Sequence, residues 1–324
     1  MKPTRRQVLI ASAAWPLAGA AHAQGDAKAI RFLVGFAAGG GTDAVARVLA
    51  DKLKDVLEQP VIVENLAGAG GRLAANALVA APPDGMTYMV ANNAVHTFQT
   101  LVFGSQIKWH YRRDFAPVAQ LTSYPLALAV GSGLNVNNVA EYVGLVRSRP
   151  DQASFGTAGL GGQSHFSGVQ LANEAGIKLQ PVAYKGATPM VTDLAGGHLP
   201  AGISLMDDML KFHRAGKLKV IGVFSAQRSM VAPDIPTFVE QGYKDLHSES
   251  WQGIWAPAKT PQAQIDRMQN AIQRVLDMPD VRQILTTRLS VVPTFRPAAD
   301  MARMQDEEIR RWEPIIKNSG FQPE

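Results

Sequence analysis

The residues of this chain with the clearest chemical capacity are glycines. The run Ile30-Arg31-Phe32-Leu33-Val34-Gly35-Phe36-Ala37-Ala38-Gly39-Gly40-Gly41-Thr42-Asp43 takes a short apolar strand through a glycine-rich turn. After it, Ala44, Val45, Ala46, Val48, Leu49 and Leu53 recur at helical spacing. A strand that enters a helix through glycines presents backbone N–H groups with no partner inside the helix, at the positive end of the helix dipole. Such a turn can hold an anion without any charged side chain. A second turn of the same build is Phe155-Gly156-Thr157-Ala158-Gly159-Leu160-Gly161-Gly162-Gln163-Ser164-His165-Phe166, with Ser164 the expected helix N-cap. Two helix N-termini in two halves of a chain can face each other across a cleft. Each could hold one end of a dicarboxylate, or both could clamp one group.

Other chemistries find little footing. There is no G-x-S-x-G elbow and no H-E-x-x-H, and Ser164 and His165 are sequence neighbours, which is not how a nucleophile and its base are usually presented. Gly68-Ala69-Gly70-Gly71 lacks a third glycine at the right spacing, and a convincing strand directly before it, for a dinucleotide fingerprint. Cysteine is absent, which removes disulfides, thiolate chemistry and the common structural zinc sites. No motif calls for a cofactor or a metal.

The elements that must position the two turns alternate along the chain. Strand-like pieces are Ile30–Val34, Val61–Val63, Thr87–Ala91, Leu126–Val130, Ser154–Thr157, Gln180–Ala183, Ala201–Leu205, Lys219–Phe224 and Gly253–Ala256. Helical stretches include 42–58, 71–80, 139–149, 164–176 and 188–195, and Asp300–Asn318 reads as a polar helix with Met301, Met304, Ile309 and Trp312 toward a core. Strands alternating with helices imply an α/β fold with largely parallel sheets.

The N-terminus reads as an export leader. Lys2, Arg5 and Arg6 form a basic region, Val8–Leu17 an apolar run too short to span a membrane, and Ala21-His22-Ala23 a cleavage site. Cleavage is expected after Ala23, and Thr4-Arg5-Arg6-Gln7-Val8-Leu9 also fits twin-arginine export. The rest of the 324 residues suffices for two domains. The chain carries 32 basic and 27 acidic residues, and three of the cations fall in the leader. The remainder is close to charge balance, with no basic run to suggest nucleic acid as a partner.

A resemblance now emerges. Phe36–Asp43 followed by Ala46-Arg47 is similar to the opening of the tripartite tricarboxylate transporter substrate-binding proteins, the Bug-type receptors. In that family's order follow Val63-Glu64-Asn65 with Gly68–Gly71, Pro83-Asp84-Gly85, Asp114–Val118, Gly159, Gly162 and His165, and Tyr184–Ala187. Then come Asp193–Gly197, Gly216–Lys219, Pro233–Thr237 with Glu240, Gly242 and Tyr243, and Ala256-Pro257-Ala258 with Thr260-Pro261.

The resemblance implies a two-domain periplasmic binding protein of the type II, flytrap-like class, with the ligand cleft between its domains. It implies crossovers near Thr122–Pro125 and Ser250–Gly253, so that 24–124 with 251–324 form one domain and 125–250 the other. It implies a non-enzymatic periplasmic receptor that binds a small carboxylate and serves membrane transporter subunits, and nothing in the sequence requires more than a monomer. The ligand would be a dicarboxylate, tricarboxylate, aromatic acid or acidic amino acid. The alternatives are a periplasmic sensor feeding a signalling partner, or an exported hydrolase.

Carried over by position, the ligand-binding residues are Phe36, Ala37, Ala38, Gly39, Thr42 and Asp43 in the first turn, and Gly159, Gly162, Gln163, Ser164 and His165 in the second, with Asp207 facing the cleft. Asp43 could equally cap its helix, and His165 could bond within its own domain. If Asp43 and Asp207 both face the ligand, a ligand bearing an ammonium group gains weight. Glu64-Asn65 and Pro83-Asp84-Gly85 read as structural turns, and Asn92 and Asn93 could offer amide hydrogen bonds. Arg72 stands where a small or neutral residue is expected.

Overall fold

The computed structural model describes residues 28–323, so the leader at 1–23 lies outside the described residues. The chain runs β1 (Ile30–Val34), α1 (Gly41–Leu57), β2 (Val61–Asn65), α2 (Arg72–Ala80), β3 (Thr87–Asn92), α3 (Asn93–His96), α4 (Phe98–Phe103) and the long β4 (Phe115–Gly131). Next are α5 (Val139–Ser148), β5 (Ser154–Thr157), α6 (Gln163–Ala175), β6 (Gln180–Ala183), α7 (Ala187–Ala195), β7 (Ala201–Leu205), α8 (Met206–Arg214) and β8 (Leu218–Val223). The chain closes with β9 (Glu249–Pro257), α9 (Gln262–Leu276), α10 (Pro279–Gln283), β10 (Val292–Pro297) and α11 (Ala298–Asn318).

Two lobes share one strand. In the first lobe β2, β1 and β3 are parallel, β9 joins β3 antiparallel, and β4 pairs with β9 over Phe115–Pro125. From Leu126 onward β4 belongs to the second lobe, where it pairs antiparallel with β7 and β8, and β5 lies parallel between β7 and β6. Ser123 and Thr122 pair with β9 on one edge and β10 on the other, so β10 closes the first sheet on the side away from the parallel strands.

Each sheet is sandwiched by helices over an apolar core. In the first lobe α1 and α9 cover one face, through Leu49, Leu53, Met268 and Ile272. The other face carries Leu78, Trp251, Trp255 and Met301. In the second lobe α5 and α6 pack on one face and α7 and α8 on the other. A smaller cluster joins the lobes: Phe98 of α4, Phe166 of α6, and Trp312 and Ile316 of α11. At about 2 kcal/mol for each large apolar side chain buried, this cluster holds α11 across both lobes.

The strand expected at Leu126–Val130 is in fact the end of a strand starting at Phe115. Pro117, Gln120, Thr122 and Pro125 hide its first half from an alternation test, and bulges at 117/119 and 120/122 absorb the irregular pattern. Met301, Ile309 and Trp312 of α11 are buried as their spacing implies, whereas Met304 is only half-buried.

Candidate ligand-binding site

The first turn leaves β1 at Gly35, which is buried against the glycine run that ends β2's loop: a Cβ here would stand 2.6 Å from the Gly71 Cα. Gly39 takes φ +83°, and Ala37 through Gly41 are exposed. α1 then starts with Gly40 as N-cap and no side-chain cap. Among the described residues the amides of Gly41 and Thr42 meet no acceptor, the first helical bond being Ala44 N–H to Gly40 O at 2.9 Å.

Asp43 fixes this turn from beneath. Its side chain is 2% exposed. Oδ2 accepts from the Gly39 amide at 2.8 Å and from Arg47 Nε at 2.9 Å, and Oδ1 accepts from Asn65 Nδ2 at 2.8 Å. Asn65 also donates to the Phe36 carbonyl at 3.1 Å and accepts from Arg47 at 3.0 Å. Burial works to raise the Asp43 carboxyl, but Arg47, Gly39 and Asn65 outweigh it and hold it at about 2. Thr42, 7% exposed, accepts a long bond of 3.4 Å from Gln252 of β9, which in turn accepts from Thr122 of β4 at 3.1 Å. The first turn is thereby tied to β9 and to β4, the strand the lobes share.

The second turn leaves β5 at Thr157, whose hydroxyl donates to Gly159 O at 3.1 Å and lies 2.6 Å from the Ser164 hydroxyl. Gly159 and Gly161 take φ +152° and +76°. α6 begins at Gln163 with Gly162 as N-cap, so Ser164 is not the cap expected of it; its hydroxyl is engaged with Thr157. The amides of Gln163 and Ser164 meet no acceptor among the described residues. His165 Nδ1 accepts from the Gly161 amide at 3.2 Å, which leaves the proton of a neutral ring on Nε2, and burial lowers its pKa. Its ring stands edge-on to Phe321 at 5.3 Å, and Phe321 also closes on Gly161.

Gln163 carries the link between lobes. Its Oε1 accepts from Ser250 Oγ of β9 at 2.6 Å and from Asn93 Nδ2, at the start of α3, at 3.3 Å, while Nε2 donates to Ser248 O at 3.2 Å. Asn93 also donates to Glu308 Oε1 at 2.7 Å. Glu308 takes two more bonds, from Thr97 at 2.6 Å and Trp251 at 3.3 Å. Burial raises the Glu308 carboxyl, against these three donors.

The first turn is thus bonded to Gln252 and Thr122, and the second to Asn93 and Glu308 through Gln163; the two sets meet on β9, which carries both Ser250 and Gln252. Asp207 lies elsewhere: it opens α8 and lines a cavity of about 550 Å³ with Thr188 and Thr192 of α7 and Thr286, Thr287 and Ser290 of the first lobe. No residue of either turn lines that cavity. Asp43 and Asp207 therefore do not meet at one site, and both Asp43 oxygens already accept bonds within the first lobe. Arg72 lies over the Phe103 ring at 3.8 Å and bonds Gln99. Sequence reading missed Gln252 and Glu308 and took Asn65 for a turn residue only. The single signal for Glu308 was its place on the buried stripe of α11, four residues from Met304 and Trp312.

Two α/β lobes joined by crossing strands, with a ligand cleft between them, define a periplasmic binding protein fold of the flytrap type. The chain belongs to the tripartite tricarboxylate transporter family receptors, whose sequence pattern matches residues 45–321. MatC from Rhodopseudomonas palustris, solved with bound malate, is 31% identical with a TM-score of 0.73, over 89% of this chain and 98% of that one. R. palustris Rpa4515, solved with adipate, is 28% identical with a TM-score of 0.78, over 91% and 98%. The periplasmic binding protein BugD is 27% identical with a TM-score of 0.74, over 91% and 99%. The family is one of solute-binding receptors, not enzymes, and no described helix is long and apolar enough to cross a membrane.

Proposed function

We propose that this protein is exported to the periplasm and captures a small carboxylate between its lobes, for delivery to a membrane transporter of the tripartite tricarboxylate type. The observation that carries this reading is the pair of helix N-termini, one in each lobe, with no side-chain cap on either. Phe36, Ala37, Ala38, Gly39 and Thr42 would offer backbone amides from one side, and Gly159, Gly162, Gln163 and Ser164 from the other. Asp43 and His165 act through the turns they bond, at Gly39 and Gly161. Asp207, on a separate cavity, is not part of this reading. The lobes comprise 24–124 with 251–324, and 125–250. A carboxylate bonded by both N-termini is fully held only when the lobes close, so its binding free energy drives closure.

Malate in MatC and adipate in Rpa4515 support a dicarboxylate as the first candidate. The test is a melting-temperature and calorimetric screen of the purified protein against dicarboxylates, tricarboxylates, aromatic acids and acidic amino acids, with amides and sugars as controls. A ligand that binds only the folded state raises the melting temperature by mass action. Stabilisation by one carboxylate class is the expected result. A response to sugars alone would overturn the reading.

A further inference from the structure

α11 ends at Asn318, and the chain then bends onto the second glycine turn. Gly320 takes φ +69°, a conformation that glycine adopts without steric cost and that commonly terminates a helix. Ser319 fixes the bend with one hydroxyl, which donates to Ile316 O at 2.7 Å and accepts from the Phe321 amide at 3.2 Å. Phe321 is thereby delivered to the apolar cluster of Phe98, Phe166, Trp312 and Ile316.

The Phe321 ring closes on the start of α6. It stands edge-on to Phe166 at 5.8 Å and to His165 at 5.3 Å. A Cβ on Gly161 would lie 3.0 Å from it. One segment therefore touches the glycine of the second turn, the histidine that bonds that glycine, and the phenylalanine that follows.

His165 is the third residue of α6. A side chain at that position can reach back to an amide ahead of the helix, as in a capping box. Here Nδ1 accepts from the Gly161 amide at 3.2 Å, directly before the open amides of Gln163 and Ser164. The bond requires a neutral ring: in the imidazolium both nitrogens carry hydrogen and neither accepts. A cation is also disfavoured at a helix N-terminus. His165 is 4% exposed. Burial alone lowers its pKa, with no charged side chain of α4, α6 or α11 contributing. The rings packed on it, Phe166 and Phe321, are not titratable.

We propose that Phe321 is a positioning residue for the second turn: its ring covers His165, keeps the imidazole in the form that accepts from Gly161, and so holds the two open amides in place. The segment after α11 is then a strap on the turn. Without its cover, water reaches His165, the ring takes up a proton, and the Gly161 amide loses its partner. That this turn binds a carboxylate is the reading given above; the positioning is tested without any ligand.

The test is amide hydrogen exchange at Gly161, together with magnetic-resonance titration of the His165 imidazole, on the purified ligand-free protein. In the wild type the Gly161 protection factor is expected to stay constant as pH falls through 6.5, the ordinary histidine value. In Phe321→Ala the His165 ionisation is expected to move up toward 6.5, and below that pH Gly161 exchanges about fivefold faster, the factor that one net hydrogen bond carries. Phe321→Leu, which restores apolar cover, should return both readouts toward the wild type. Removal of residues 320–324 leaves α11 whole and should reproduce Phe321→Ala. A His165 ionisation that neither variant moves, or Gly161 protection lost equally at every pH, would overturn the proposal. Failure of the carboxylate screen would not bear on it.

Discussion

Gln163 and Asn93 are the first residues of two helices in different lobes, and their side chains meet at 3.3 Å. Both follow a strand end that points into the cleft, so the contact joins the second glycine turn to the first lobe. Glu308 holds Asn93 from behind at 2.7 Å. Closure and the C-terminal helix are mechanically connected through these three side chains.

Asn93→Ala removes that contact and leaves Glu308 one donor short. A net hydrogen bond is worth about 1 kcal/mol, so carboxylate affinity is expected to fall several-fold. Small-angle scattering of the unliganded protein should show a larger radius of gyration. Unchanged affinity and radius would mean that the contact is incidental.

Gly35→Ala is expected to disable the first turn. The added methyl would stand 2.6 Å from the Gly71 backbone, where no side chain can yield. Destabilisation of about 1–3 kcal/mol, as for other overpacked sites, should appear in chemical denaturation together with loss of carboxylate binding. Gly41→Ala, with open space around its Cβ position, is the control.

Asp43 makes stability depend on acid. Its folded carboxyl titrates at about 2, below the ordinary 3.8, so its contribution is complete above pH 3.8 and is lost as pH falls from there to about 2. The size is about 2 kcal/mol. Asp43→Asn should flatten the denaturation free energy over that range and weaken carboxylate binding by loosening Gly39.

His96 sets a second, milder acid limit. It is fully buried, stacked on Trp255 at 3.9 Å and edge-on to Phe115 at 4.7 Å, and neither ring nitrogen has a partner. Burial lowers its pKa from 6.5 to about 3. The neutral ring's contribution is present above pH 6.5 and declines as pH falls toward 3, by about 2 kcal/mol between pH 7 and pH 5. Urea titrations at the two pH values test this, and His96→Phe should remove the slope.

The alternation of strands and helices was legible because most of these strands are short, apolar and followed by glycine or a helix start. The two turns were legible for the same reason. β4 was not, because one strand serves two lobes and its polar first half pairs on both edges. The network beneath the turns was harder still. Asn65, Gln252 and Glu308 come from distant parts of the chain, and nothing in their local sequence marks them as neighbours of Asp43, Thr42 or Asn93. Adjacent residues can carry a local rule, but a bond spanning 210 or 215 positions, as for Thr42–Gln252 or Asn93–Glu308, exists only once the lobes are assembled.

Phe321 packs against Gly161 and His165, so the segment that follows α11 rests on the second turn. An affinity tag fused after Glu324 would begin four residues from that contact. Binding assays on C-terminally tagged protein would then report a receptor with a wedge at its second turn. For this protein the choice of purification handle is itself an experimental variable, and a cleavable tag ahead of the first strand is the neutral option.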